Sequence, residues 1–309
     1  MIYRWKQRRN GIIINLGSAR NNITAEGIES LTDVVFRSGV APSNFYIGLI
    51  DSIVAPVTQH SARGTDTLLS HPTWTEDTSY IGGRPEWYGI SEVFFDQPRY
   101  TNQDNPAKIQ IECSGTIQGF FLATSQDNTG VLLSTSLFGA TGPEVEIGDE
   151  FEVTYNFELD YNNGLTYAGG QTILDTYFGG PSSFNGQFYM GFKDLPGGLT
   201  PYDDTLAAHP SWSEIGTRVA VNYTSPPVVK YDGLAFDSYA QGVFMIPDGA
   251  AYNPPGNFEH RGWFLCDVAS GSAGKLIFQD KRTDLRARII EHVDGDIISF
   301  PWLRWTTQA

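Results

Sequence analysis

An eleven-residue stretch occurs twice in this chain, and it constrains the fold more than any other feature. Residues 66–76 read Asp-Thr-Leu-Leu-Ser-His-Pro-Thr-Trp-Thr-Glu, and residues 204–214 read Asp-Thr-Leu-Ala-Ala-His-Pro-Ser-Trp-Ser-Glu. Asp66/Asp204, Thr67/Thr205, Leu68/Leu206, His71/His209, Pro72/Pro210, Trp74/Trp212 and Glu76/Glu214 are identical, and Thr73/Ser211 and Thr75/Ser213 keep a hydroxyl. Such a recurrence is the mark of a tandem duplication, so whatever the stretch builds is expected to be built twice.

Its residue types suggest a loop stapled over a sheet. Asp66 and Asp204 can accept backbone N–H bonds and start a short helical turn. His71 and His209 precede proline, which disfavours the helical region and stops that turn. Trp74 and Trp212 then offer a large ring to the core, and Glu76 and Glu214 can close the loop onto backbone or histidine. The competing reading is a metal or acid–base site made of Asp, His and Glu. The chain has no His-x-x-x-His pair, no calcium-loop spacing of carboxylates and no Cys-x-x-Cys. Two intact copies also suit architecture better than catalysis. No metal, no cofactor and no catalytic residue is therefore assigned, and the expected protein is not an enzyme.

The order of elements recurs with the stretch. A helical pattern over 24–36, with Thr24 as its cap, is matched by residues 168–178, pairing Gly27 with Gly170 and Leu31 with Leu174. A strand Phe45–Asp51 is matched by Phe188–Asp194, and Gly119–Leu122 by Gly262–Leu265. Gly130–Leu133 is matched by Gly274–Ile277, and Phe151, Val153, Tyr155 and Phe157 alternate as a half-buried strand does. The expected fold is mainly β, with two tandem homologous β-sandwich or barrel-like domains, each with one short helix. The boundaries are an extended N-terminal arm with a first strand over 1–21, a first repeat over 22–160 and a second over 161–309.

Glycine, proline and aromatic content fit turn-rich β structure. The net charge of −15 argues against nucleic acid as the main partner, because phosphate contacts need clustered cations. The first ten residues run against this balance, with Arg4, Lys6, Arg8 and Arg9 and no acid. With Tyr3 and Trp5 between the cations, they read as an arm that docks on an acidic protein neighbour. The apolar run Ile12–Ile14 is too short for a signal peptide or membrane span, so a soluble chain made in the cytoplasm, with no membrane partner, is expected. Cys266 aligns with Ala123 and not with Cys113, so no shared disulfide framework is expected; both are read as buried thiols. Tyr80, Trp87, Tyr88 and Tyr100 could form a sugar-stacking platform, though core or interface packing is the plainer reading.

These residues resemble structural proteins of tailed bacteriophages. Such proteins carry a strand like Phe45–Leu49, then a loop like Asp66–Glu76, then an aromatic and an arginine, here Tyr80 and Arg84. The second copy keeps Phe188–Phe192, Asp204–Glu214 and Arg218 but lacks the aromatic. The resemblance implies a virion component assembled in the host cytoplasm. Its partners would be other virion proteins, either the major capsid protein or neck and tail proteins, together with further copies of itself. A capsid decoration or cement protein is the leading expectation. A tail- or neck-associated structural or carbohydrate-binding protein is the alternative.

Overall fold

The computed structural model describes residues 2–20, 22–37, 39–54, 66–94, 97–138, 142–159, 165–181, 183–184, 186–194, 205–210, 212–221, 228–231, 242–246, 251–252, 258–260, 262–279, 290–292, 298–299 and 303–307. The protein is mainly β. In chain order, its first half contains β1 (Ile2–Arg9), β2 (Ile12–Arg20), β3 (Asn22–Ile23), α1 (Ala25–Phe36), β4 (Tyr46–Ile53), β5 (Trp74–Asp77), β6 (Ile90–Phe94) and β7 (Gln97–Thr101). There follow β8 (Ala107–Gln110), β9 (Gly115–Thr116), β10 (Gly119–Ala123), β11 (Leu132–Leu137), β12 (Glu144–Val145) and β13 (Glu150–Glu158). One antiparallel sheet runs β2-β1-β13-β7-β6, with β8 also on β13, and a second runs β3-β11-β10-β4-β5.

The N-terminal residues do not project as an arm. They form β1, an inner strand that pairs with β13 on one side and β2 on the other. Asn10 and Gly11, both at positive φ, make the tight turn between β1 and β2. Strand alternation explains the placement. Tyr3, Trp5 and Gln7 point inward and are buried, while Arg4 and Lys6 point out. Tyr3 stacks on Tyr155 (4.4 Å) and Phe120 (5.6 Å) and hydrogen-bonds Ser134 Oγ at 3.2 Å, so it joins the two sheets. Trp5 packs against Phe138 and Phe151. The cations find their acids within the chain: Arg8 and Lys6 on Glu152, Arg9 on Glu146 and Asp149. The basic character of the segment balances the carboxylates of its neighbour strand.

The second half repeats the strand order of the sheet that contains β4 and β10. After α2 (Tyr167–Phe178), the strands β14 (Phe188–Asp194), β15 (Ser213–Val221), β16 (Val228–Tyr231), β17 (Gly242–Ile246), β18 (Ala251–Tyr252), β19 (Phe258–His260), β20 (Gly262–Cys266) and β21 (Leu276–Gln279) follow. The last are β22 (Ile290–His292), β23 (Ile298–Ser299) and β24 (Leu303–Thr307). The sheet β15-β14-β20-β21 has the order of β5-β4-β10-β11. Smaller sheets are β16-β17-β24, β18-β23 and β19-β22.

The helices correct the repeat alignment by one residue. Thr24 and Thr166 are the N-caps, accepting from Gly27 N and Gly169 N at 3.0 Å each. Each threonine hydroxyl also donates to a strand carbonyl, of Leu132 and Leu276 respectively. At Gly27 and Gly169 the backbone approaches the carbonyl of Leu133 or Ile277 so closely that a Cβ would collide with it. Gly27 therefore corresponds to Gly169, not Gly170, and Leu31 to Ile173. Ala123 and Cys266 do occupy equivalent strand positions, each in a small buried cluster. Cys266 is buried, whereas Cys113 is exposed, against the expectation for the latter.

The largest hydrophobic cluster includes residues from both halves. Ser30 of α1 meets the Tyr177 hydroxyl of α2 at 2.9 Å, and Phe36 packs on Phe188. Phe178 sits among Phe45, Trp87, Tyr100 and Phe157.

Two outcomes follow from the placement of β1. Tyr3→Ala should lower the unfolding free energy by ~3–5 kcal/mol, the usual cost of deleting a buried large aromatic, measured by denaturant titration. Asp149 should contribute to acid sensitivity. The hydrogen bond from Arg9, with further donors from the Glu146 N–H and Gln7, holds its pKa down at about 2. A carboxylate depressed in the folded state stabilises the fold above its unfolded pKa of ~4, and that contribution disappears as pH falls through the folded value. Stability should therefore decline between about pH 4 and about pH 2, and Asp149→Asn should flatten that part of the melting-temperature profile.

Candidate functional site

The duplicated stretch forms the same small constellation in both halves. The expected helical turn is not formed: residues 67–70 and 205–208 make tight non-helical turns, in which Thr67 N donates to Ser70 O at 2.8 Å and Thr205 N to Ala208 O at 3.0 Å, the reverse of the helical direction. His71 then lies flat on Trp74, with ring centroids 3.9 Å apart and planes 8° apart. His209 lies on Trp212 at 3.7 Å and 14°. Each histidine Nδ1 is 2.9 Å from the carbonyl oxygen of its own tryptophan, and each tryptophan backbone N–H donates back to the histidine carbonyl. The local pairing fixes the ring, and burial holds it: both tryptophans are core residues. Below them lie Phe121 at 5.1 Å and Phe264 at 4.9 Å, both tilted by 34°. Gly48 and Gly191 on the central strands leave the room these phenylalanine rings fill.

An arginine completes each set. Arg84 grips Glu76 with two bonds, Nε to Oε1 at 2.7 Å and NH2 to Oε2 at 2.6 Å. Arg218 grips Glu214 in the same way at 2.8 Å and 2.8 Å. The guanidinium carbons stand over the Phe121 and Phe264 rings at 5.0 and 5.5 Å. Arg84 also donates to the carbonyls of Ser125 and Asp127, and Arg218 to that of Val268. The sequence spacing differs because the chain leaves the sheet by different routes. In the first half it departs after Asp77 and returns near Glu86. In the second half the pairing jumps from Ile215 to Val219, with Gly216 at positive φ. Both detours return an arginine to the same place.

The copies differ around this shared frame. Tyr80 donates to Glu76 at 3.1 Å in the first half; burial and the Glu76 charge push its hydroxyl pKa up, so it stays a donor. Asp66 is buried and accepts from the Thr73 hydroxyl. Asp204 and Ser211 lie outside the described residues. The Trp212 indole donates to Gln279 Oε1 at 3.1 Å, whereas the buried Trp74 Nε1 has no hydrogen-bond partner among the described residues. Lys193 Nζ stands 5.7 Å from the Trp212 ring, where the first half has Ile50. Glu26, in the first turn of α1, accepts from Leu68 N (2.9 Å) and Leu132 N (2.6 Å), tying the stapled turn to helix and sheet.

The other candidates separate. Tyr80, Trp87 and Tyr100 are buried, and Tyr88 is exposed, so the four rings make no open platform. Trp87 donates to Tyr155 O and packs on Phe45, while Tyr100 donates to the buried Asp175 of α2 at 2.6 Å. These rings join the two halves. Of the basic residues near the N-terminus, Arg4 and Lys6 face outward on β1. Among the described residues, no three His, Cys, Asp or Glu side chains converge as a metal site would require. Among the described residues, no helix is long and apolar enough to cross a membrane. Comparisons with known proteins found no matching family model, no matching curated protein and no matching solved structure.

What the constellation does chemically is neutralise its own polar groups. Carboxylate meets guanidinium, imidazole meets carbonyl, and one face of each indole is covered by its histidine. Sequence reasoning located Asp66, His71, Trp74 and Glu76 but assigned Arg84 and Arg218 no role in the staple. The signal was present in Glu-x₇-Arg and Glu-x₃-Arg downstream of each tryptophan.

The difference between the two indoles gives a measurable contrast. Trp212→Phe should cost ~0.5–1.5 kcal/mol more than Trp74→Phe, because it deletes the indole hydrogen bond to Gln279 while the Trp74 indole N–H has no such bond among the described residues. Arg84→Ala should cost ~3–5 kcal/mol, the range for removing one partner of a buried ion pair. Parallel denaturant melts of the three variants check both figures.

Proposed function

We propose that this chain is a non-enzymatic structural protein of a tailed-bacteriophage virion, built from two tandem homologous β-sandwich-like domains. Within the particle, the reading favours a capsid decoration or cement protein, or another head-associated protein, that stabilises the shell by protein–protein contacts. The observation that carries it is the use of the duplicated residues on one another. Glu76 with Arg84 and Glu214 with Arg218 close as bidentate pairs, and both histidines stack on tryptophan. Residues spent in this way brace a fold; they are not held ready for a substrate. The resemblance of the same residues to virion proteins supplies the setting. Partners are other virion proteins and further copies of this chain, and assembly takes place in the host cytoplasm.

The test is quantitative mass spectrometry of purified particles, paired with a density map. The expected result is this chain among the particle proteins at the high copy number of a shell component, with density on the head. A low copy number with density at the neck or tail would favour the tail- or neck-associated alternative. Particles that lack the chain altogether would refute the virion reading.

A further inference from the structure

We propose that the outer edge of β2 is a self-association surface, at which two copies of this chain add antiparallel across a twofold axis. Strand β2 hydrogen-bonds with β1 on one side and lies at the end of its six-stranded sheet. Its other side forms a ladder with no strand among the described residues, although its Arg20 end lies against β11. At its far end the Ser136 hydroxyl donates to the Arg20 carbonyl, and within the strand the Leu16 N–H donates to the Asn15 side-chain oxygen at 3.0 Å; apart from these groups the stretch from Ile12 to Ser18 is open edge. An open edge presents a row of unpaired N–H and C=O groups, a template for another strand.

The side chains on this edge are unusual for one left to water. Ile12, Ile13, Ile14 and Leu16 are all exposed, Ile12 at 69% and Leu16 at 64%. Ile147, 72% exposed, lies at the same end of the sheet. It sits between Glu146 and Asp149, which the Arg9 guanidinium holds, and Arg9 pairs across the hairpin with Ile12. Edge strands are normally protected by lysine, proline or inward-facing charge. From Asn10 to Ala19 this chain has no charged residue and no proline. Of the usual protective devices β2 carries a bulge: Gln7 pairs with Asn15 and Arg8 with Ile13, which leaves Ile14 as an extra residue, itself exposed.

Charge selects a second copy as the occupant. The chain carries −15 overall, so two copies repel across most of their surface. Around β2 that excess is cancelled: Lys6, Arg8, Arg9 and Lys108 pair with Glu152, Glu146, Asp149 and Glu150. A strongly basic partner would be drawn to the acidic remainder of the molecule rather than to this neutral strip. An identical strip meets no like charge along it. Antiparallel pairing about a twofold lets each copy give and receive the same backbone bonds, and it would join two six-stranded sheets into one. The proposal does not rest on the virion reading, since the isolated full-length chain suffices to test it.

The experiment is light scattering coupled to size exclusion, with sedimentation equilibrium, on the full chain over a concentration series. The expected species has twice the chain mass. Ile13→Lys and Leu16→Lys should each halve that mass while leaving circular dichroism and melting temperature unchanged, because both sites are exposed. Val93→Lys, on the opposite edge strand β6, should leave the dimer intact. In a Cys113→Ser background, Ile14→Cys, Asn15→Cys and Leu16→Cys should include at least one variant that oxidises to a covalent dimer, which reads out the twofold even if a lysine variant misfolds. A parent chain that stays monomeric throughout would overturn the proposal, as would a dimer that survives both lysines. A monomeric parent that captures a different virion protein along this edge would equally overturn the second-copy occupant.

Discussion

A guanidinium held against a carboxylate above an aromatic ring organises each half of this molecule. Arg84 touches the edge strand β5 through Glu76, the central strand β10 through the face of Phe121, and the β10–β11 connection through two carbonyls and Asn128. One side chain thus fixes three segments that sequence separation would otherwise leave free to move. A lysine could satisfy the charge but not the geometry, since only the planar fork makes two parallel bonds to a carboxylate and donates sideways to carbonyls. Because the pair is buried, its desolvation is offset only if every donor is used, and Arg84 uses Nε, NH1 and NH2. Arg218 achieves the same with fewer loop contacts, from a detour half as long in sequence.

The two halves are bound to each other by the same logic of buried, satisfied polar groups within an aromatic cluster. Tyr100 donates to Asp175, Gln171 to both Asp175 and Ser91, and Ser30 meets Tyr177. Burial pushes the Tyr100 and Tyr177 hydroxyls upward, so both remain protonated across any ordinary pH. A partly satisfied network here would be worse than plain hydrocarbon packing. Its completion, with Phe178 packed among rings of the first half, makes the junction between halves a specified contact rather than a loose tether.

Much of this was legible in the sequence, and what was missed had physical signals of its own. Repetition exposed the stapled loop, the matched strands and both helices. It failed by one residue at Ala168-Gly169-Gly170, where composition alone does not say which glycine faces a carbonyl; only the threonine cap three residues earlier fixes the register. The strand β1 was obscured by the four cations among the first ten residues of the chain. Charge suggested solvent, yet Tyr3, Trp5 and Gln7 alternate with Arg4, Lys6 and Arg8, the period of a half-buried strand, and Asn10-Gly11 is a hairpin turn signal. The pairing of each glutamate with its arginine required knowing where the chain leaves and rejoins the sheet, which no local pattern reveals.

The basic N-terminal segment makes sense once its neighbours are considered. Glu144, Glu146, Asp149, Glu150 and Glu152 fall within nine residues, on two adjoining strands and the turn between them. Five carboxylates so close would repel one another and resist the burial that Asp149 undergoes, since an unpaired buried charge is strongly disfavoured. Strand β1 lays Lys6, Arg8 and Arg9 directly against them in register with β13. The cations are therefore a condition for closing the first sheet. They also explain how a chain so acidic overall can present an uncharged apolar strand at one edge: the acids that would have made that end repulsive are neutralised from within.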